Sequence, residues 1–311
     1  MEGLMDGRTA RWTDIVAMAH RAEAVGFDSI WVNDHFFLQL GAWPPTQSPV
    51  SSEDEAKQVG MWECMSVLSA LAATTSRVEL GTLVIGAGFR NPALLAKMAD
   101  TIDEISGGRL ILGLGTGYHD PEYHAFGYPT DHRYSRFQEA IHIIHSLLRD
   151  GNIDFAGTYY WARECELQPR GPRPGGPPIM IGTRGQKMLR LTARYADFWN
   201  TSLPAQWRSR LEYLEPEKGL VDVACQEVGR DPSTLGKTGW MVWRPANQPE
   251  AIPSWALRLM EPLTGTPEEV ATVFREIAQV GVSHLQVAVY PNSLAGIEAF
   301  CPVLEALDRG N

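Results

Sequence analysis

"RVELGTLVIGAGFRNPALLAKMADTIDEISGGRLILGLG" spans Arg77–Gly115, and its reading decides the fold. The first part is a strand: Val78, Leu80, Leu83, Val84 and Ile85 are apolar or β-branched. Glycines at 81, 86 and 88 accompany it, and Asn91-Pro92 gives a helix start. The following helix is predicted to turn Leu95, Met98, Ile102 and Ile105 inward and to stop at Gly107. "RLILGLG" is a second strand. Two apolar strands joined by a helix form a parallel pair with a right-handed crossover. The glycines at the end of the first strand have two readings. They serve a tight connection, or they let a flat group lie against the backbone.

The same alternation extends in both directions. "WTDIVAMAHRAEAVG" is a helix with Trp12, Ile15, Val16, Ala19 and Ala22 on one face and Gly26 as its stop, and "FDSIWV" is a strand. A polar, Pro-rich loop (Gly41–Gly60) leads to the helix "MWECMSVLSALAATT". Downstream come the helix "SRFQEAIHIIHSLLRDG", with Ser135 as N-cap, and the strands "PIMIG", "DFWNTS", "TGWMVW" and "SHLQVAV". "TPEEVATVFREIAQVG" is a helix opened by a capping box from Thr266 to Glu269 with Pro267 at its first position. Seven strands alternate with helices, and they are apolar on both faces, as in a sheet covered on both sides. The series begins with a helix, one strand short of eight. The expectation is a single α/β domain over residues 1–311, a (β/α)8 TIM barrel. Its first strand is missing or truncated, or squeezed into Met1–Asp6, and two strand edges are left without a partner. An irregular insertion without a long helix is expected at about 152–178.

Composition narrows the function. A formal charge of −10 argues against a nucleic-acid partner and against anionic membranes. No apolar run reaches the ~18–20 residues of a membrane span. The start "MEGLMDGRTARW" lacks a basic region and an apolar signal core. Cys64, Cys165, Cys225 and Cys301 have no zinc-site spacing and read as reduced cytoplasmic thiols. No H-E-x-x-H is present, and no metal site is expected.

Barrel sites form where strands end at the C-terminal face. After "SIWV" stand Asn33, Asp34 and His35; the alternatives are a proton-handling pair or a helix cap beside a surface histidine. "IGTRGQK" is a strand, a glycine loop and a helix start, either a phosphate cradle of backbone N–H groups or an ordinary turn. "GLGTGY" has a glycine fingerprint, but the proline-containing "YHDPEYHAFG" after it, with no immediate helix, counts against a Rossmann unit.

These stretches together resemble the bacterial luciferase-like family of flavin- and deazaflavin-dependent oxidoreductases. The resemblance runs from "AEAVGFDSIWVNDHF" through the Leu80–Gly127 block to "PPIMIGTRGQKMLRLTARYADFWN" and "GTPEEV", and is nearest the subgroup using coenzyme F420. It implies a non-prolyl cis peptide at Leu83–Val84 that supports the middle ring of the cofactor. It implies contact of Asp34 with the polar end of the ring and a catalytic or substrate-orienting role for His35. Thr82, Thr116 and the loop Gly182, Thr183, Arg184 and Gly185 would complete the cofactor site, the loop holding phosphate. The implied activity is hydride transfer between F420 and a small organic substrate. The alternatives are an FMN-dependent monooxygenase on the same barrel and a cofactor-binding protein without catalysis. A homodimer is implied, with an apolar face such as Met61, Met65 and Leu68 as one compatible contact. One departure stands out. The family's sugar-phosphate dehydrogenases carry Glu where this chain has Tyr118, so the proton donor is absent or moved.

Overall fold

The computed structural model describes residues 4–5, 8–39, 58–203, 207–247 and 262–309. The Pro-rich loop read at Gly41–Gly60 lies outside the described residues as far as position 57.

In chain order the strands are β1 (Leu4–Met5), β2 (Arg8–Thr9), β3 (Ser29–Val32), β4 (Phe37–Gln39), β5 (Gln58–Gly60), β6 (Glu79–Thr82), β7 (Ile85–Gly86), β8 (Leu110–Gly115), β9 (Asn152–Ala156), β10 (Trp161–Glu166), β11 (Ile179–Gly182), β12 (Phe198–Ser202), β13 (Gly236–Trp243) and β14 (Val282–Val289). The helices are α1 (Trp12–Ala24), α2 (Cys64–Thr74), α3 (Pro92–Ser106), α4 (Asp120–Phe126), α5 (Arg133–Asp150), α6 (Gln186–Tyr195), α7 (Trp207–Glu227), α8 (Pro267–Gln279) and α9 (Leu294–Asp308).

The main sheet runs β3-β6-β8-β11-β12-β13-β14, with β7 also on β8. Every pairing in it is parallel. Spatial order equals chain order, with no reversal, so the sheet curls as a barrel and not as a doubly wound layer. The seam lies between β3 and β14. Among the described residues no ladder joins them. β1 exists, but it pairs antiparallel with β2 in a separate two-stranded sheet and does not fill the seam.

Local chemistry explains the helices. Asn91 caps α3 by accepting from the Ala93 and Leu94 amides, Pro92 occupies the first turn, and Gly107 ends it at φ 69°. The Thr266–Glu269 capping box opens α8 as the spacing predicts. Three helix readings need correction. α5 starts at Arg133, ahead of Ser135, because His132 turns the chain into it at φ 51°. The α3 core row is Leu95, Ala96, Ala99, Ile102 and Ser106, which leaves Ile105 44% exposed. Likewise Trp12 on α1 is exposed, and Met18 joins Ile15, Ala19 and Ala22 in the core.

The insertion forms an antiparallel hairpin, β9–β10. Its Ala162 joins the main core, and so does Leu167 just beyond it. Met65 and Leu68 are fully buried in that same core, so packing rather than a partner explains their face of α2. Burying such side chains is worth about 1.5–3 kcal/mol each. Inside the barrel, Asn200 Nδ2 donates to Thr238 Oγ1 and to Gln286 Oε1, both at 2.8 Å. All three residues are buried, and they satisfy one another's polar groups.

Candidate active site

A cavity of about 1020 Å3 opens at the C-terminal ends of the strands and continues down the seam. Its wall at β6 and β7 is built by an interruption of the sheet. β6 pairs with β8 as far as Gly81–Ile111, and pairing resumes at Ile85–Leu114. Between them the chain bulges out through a cis peptide bond at Leu83–Val84, as the resemblance implies. Thr82 closes the interrupted ladder. Its hydroxyl donates to the Gly113 carbonyl and accepts the Gly113 amide, both at 2.8 Å. Thr82 is fully buried and does not line the cavity. Val84 does. A Cβ at Gly115 would lie 2.9 Å from Val84 Cγ2, and one at Gly182 would lie 3.4 Å from Cγ1. Glycine at both positions leaves Val84 as a shelf.

Asp34 holds the segment after this shelf in place. Its Oδ2 accepts from the Gly86 amide at 3.0 Å, and both of its oxygens accept from Arg90 at 2.8 Å. Arg90 also donates to Glu63. Burial opposes the charge on Arg90, but hydrogen bonds and attraction from Asp34, then Glu63, outweigh it and push its pKa up. Asp34 thus spends its carboxylate on the protein, where contact with the cofactor ring is what the resemblance implies.

His35 lines the same cavity. Its Nδ1 is 2.7 Å from Glu122 Oε2, and its Nε2 is 3.0 Å from the Tyr118 hydroxyl. Glu122 is fully buried on α4, and its other oxygen accepts the amides of Phe36 and Phe37. The carboxylate only accepts, so His35 carries its proton on Nδ1. The turn before Tyr118 requires glycine. Gly117 has φ 74°, and a Cβ there would come within 1.8 Å of the Tyr123 hydroxyl. His119, 2% exposed, accepts the Gln39 amide on Nε2 at 3.0 Å. Burial, then the counteracting charge of Glu122, leaves its pKa below the ordinary histidine value, so it stays neutral.

The loop after β11 forms the far end. Gly185 is the N-cap of α6, whose first-turn amides receive no side-chain cap, and a Cβ at Gly185 would meet nothing within 4 Å. Thr183 is anchored by its amide to the Asn200 carbonyl and by its own carbonyl to Trp199 Nε1. Arg184 donates to the Ser202 carbonyl at 3.0 Å and to the Ser202 hydroxyl. Its guanidinium carbon lies 5.2 Å from the centre of the Tyr213 ring. Thr116, Gly182, Thr183 and Arg184 line the cavity; Gly185 stands outside its lining.

The family model for luciferase-like monooxygenases matches residues 2–235. The chain belongs to the luciferase-like monooxygenase family. An F420-dependent glucose-6-phosphate dehydrogenase of Amycolatopsis mediterranei (strain U-32) is 33% identical over 190 residues, 59% of this chain and 51% of that protein. The match therefore spans about half the length of that relative. A second F420-dependent glucose-6-phosphate dehydrogenase, of Kineococcus radiotolerans (strain ATCC BAA-149 / DSM 14245 / SRS30216), is 29% identical over 301 residues, 86% of this chain and 84% of that protein. The solved structure of an F420-dependent secondary alcohol dehydrogenase in complex with an F420-acetone adduct superposes with a TM-score of 0.74 at 21% identity, covering 96% of each chain. At that identity the likeness speaks for the barrel alone.

Of the residues expected at the luciferase-like site, Asp34, His35, Leu83, Val84, Thr116, Gly182, Thr183 and Arg184 meet around one cavity. Sequence reasoning missed Glu122. Its signal was present in "YHDPEYHAFG", where Pro121 falls in the first turn of a short helix and Asp120 and Glu122 are the acids of that turn. That stretch read as having no immediate helix, yet α4 starts five residues after Gly115.

Proposed function

We propose that this protein transfers hydride between coenzyme F420 and a small organic substrate, as a carbonyl–alcohol oxidoreductase. The observation that carries the reading is His35, fixed by the buried Glu122 at a cavity that the Val84 shelf also lines. The residues suit the cofactor. Val84, bracketed by Gly115 and Gly182, offers an apolar face for a planar ring. The uncapped start of α6 beside Arg184 offers amides and a cation for phosphate. When bound, the deazaflavin supplies or accepts hydride with little oxygen chemistry. The chain supplies the rest. Val84 and the α6 loop fix orientation, and Asp34 with Arg90 keeps the shelf segment in place. His35 holds the proton that a reduced carbonyl oxygen needs, and Glu122 fixes its tautomer and orientation.

The reading extends to assembly and setting. We infer a homodimer through α3, where Leu94 and Ile105, 55% and 44% exposed, lie three turns apart on one face. None of the four cysteines forms a disulfide, which suits a reducing cytoplasm. Among the described residues no helix is long and apolar enough to cross a membrane.

The test is a titration with F420 and, separately, FMN, followed by anaerobic and aerobic turnover of a ketone panel. Micromolar binding of F420 with anaerobic ketone reduction supports the reading. Selective binding of FMN with oxygen consumption replaces it with the monooxygenase alternative, and cofactor binding without turnover leaves the non-catalytic one.

A further inference from the structure

Both ring nitrogens of His35 are engaged, Nδ1 by Glu122 at 2.7 Å and Nε2 by the Tyr118 hydroxyl at 3.0 Å. No nitrogen remains for a substrate while these contacts hold. The His35 side chain is also only 16% exposed, whereas Tyr118 is 48% exposed and lines the cavity. A substrate oxygen approaching the Val84 shelf therefore meets Tyr118 before it meets His35.

We propose that Tyr118 is the catalytic acid–base residue that touches the substrate oxygen, with His35 and Glu122 behind it as a proton relay. This rests on the hydride-transfer reading above and names the group that delivers the proton.

The chemistry follows from what each atom can donate. Glu122 accepts from Nδ1–H in either state of His35. When His35 is neutral, Nε2 carries a lone pair, and the Tyr118 hydroxyl donates inward to it. When His35 is protonated, Nε2–H donates to the Tyr118 oxygen, and the phenolic hydrogen turns out toward the cavity. In carbonyl reduction a bound, reduced deazaflavin would supply the hydride, one of its C–H bonds breaking as a C–H bond forms at the carbonyl carbon. The Tyr118 O–H bond breaks as the new alcohol O–H forms. The His35 Nε2–H bond breaks as the Tyr118 O–H is restored, which leaves His35 neutral. One hydride and one proton have been added, and oxidation runs the same steps backward. Desolvation of the phenol, then the nearby charge of Glu122, pushes its pKa up although half of the residue is exposed. The hydroxyl therefore keeps its proton at rest and gives it up only with replacement from His35. The other ring facing His35 is His119, 6.0 Å away and neutral, so it adds no competing charge.

The experiment compares the full chain with Tyr118→Phe. With reduced F420 and cyclohexanone as the probe, Tyr118→Phe is expected to lower kcat at least ~10²-fold. KM and F420 affinity should stay within about threefold, and the solvent deuterium isotope effect on kcat should change. Separately, 15N-histidine NMR of the cofactor-free protein reads the contact itself, and the His35 Nε2 resonance should move in Tyr118→Phe. Turnover of Tyr118→Phe within about threefold of the parent overturns the proposal, and so does an unmoved His35 resonance. Failure of the parent to bind F420 sinks the hydride-transfer reading instead, and the proposal falls with it; the resonance then reports only the Tyr118–His35 contact.

Discussion

His284 Nε2 lies 2.7 Å from Ser29 Oγ, across the seam where β14 and β3 share no backbone ladder. Trp31 donates to the same Ser29 hydroxyl at 2.7 Å and sets its ring edge-on to His284 at 5.3 Å. Side chains thus do at the seam what amide pairs do elsewhere in the sheet. Burial lowers the pKa of His284 from its ordinary 6.5, against weaker pull from Glu79 and Asp28. The unfolded chain therefore binds this proton more readily than the folded one. The contribution to stability is complete above pH ~6.5 and is lost as the pH falls from there toward the folded value. Thermal melts between pH 5 and 8 should show this loss in the parent and a flatter profile in His284→Gln. Ser29→Ala should cost about 1–3 kcal/mol at neutral pH, since Trp31 loses its acceptor as well. Parallel pH profiles for parent and His284→Gln would remove His284 from the seam's stability.

Asp34→Asn separates two roles for one carboxylate. If Asp34 holds the shelf segment through Arg90, the variant leaves a guanidinium of 9% exposure with Glu63 as its remaining charged partner. Urea melts should then show a loss of about 3 kcal/mol, and F420 affinity should fall with it because the segment loosens. Unchanged melts with weakened F420 binding would restore direct contact between Asp34 and the ring.

The fold was legible because periodicity carries it. Seven apolar strands separated by capped helices leave little choice but a parallel barrel. The site was half legible. His35 and the Gly182–Gly185 loop stand at strand ends, where chain position alone marks them. Glu122 comes to His35 from 87 residues away, and that distance has no local pattern. Thr82 looked like a cavity residue and is a ladder residue, because only the structure shows β6 leaving β8 at the bulge. Ile105 was misread for a plainer reason: on α3, Asp100 and Asp103 are buried to receive the arginines of the insertion, Arg170 and Arg173, which shifts the inward face away from a purely apolar row.

Gly182→Val tests the shelf and its phosphate end. The first added carbon would sit 3.4 Å from Val84 Cγ1 and 3.9 Å from Asn200 Oδ1, tight but tolerable. The two further methyls press on the shelf face. The barrel should fold with unchanged circular dichroism, while F420 affinity drops at least tenfold, about 1.4 kcal/mol. Arg184→Ala should weaken binding by a similar factor, and more at low salt than at high salt, because its role is charge. A Gly182→Val protein that binds F420 as the parent does would move the cofactor away from this loop.

Leu94 and Ile105 carry the last prediction. They stand 11 positions apart on α3, and at 3.6 residues per turn that is close to three full turns, so both point the same way. Between them Thr101 is exposed and Met98 partly so, which makes the row mostly uncharged. An uncharged helical stripe of this kind packs well against its own copy about a two-fold axis, where each residue meets the partner's row. Light scattering at micromolar concentration should give twice the chain's mass. Leu94→Asp with Ile105→Asp should halve it, since each carboxylate would be buried without a counter-charge. Neither residue lines the cavity, so the monomeric variant should keep its F420 affinity. A parent that scatters as a monomer would return these two side chains to the ordinary class of exposed apolar residues.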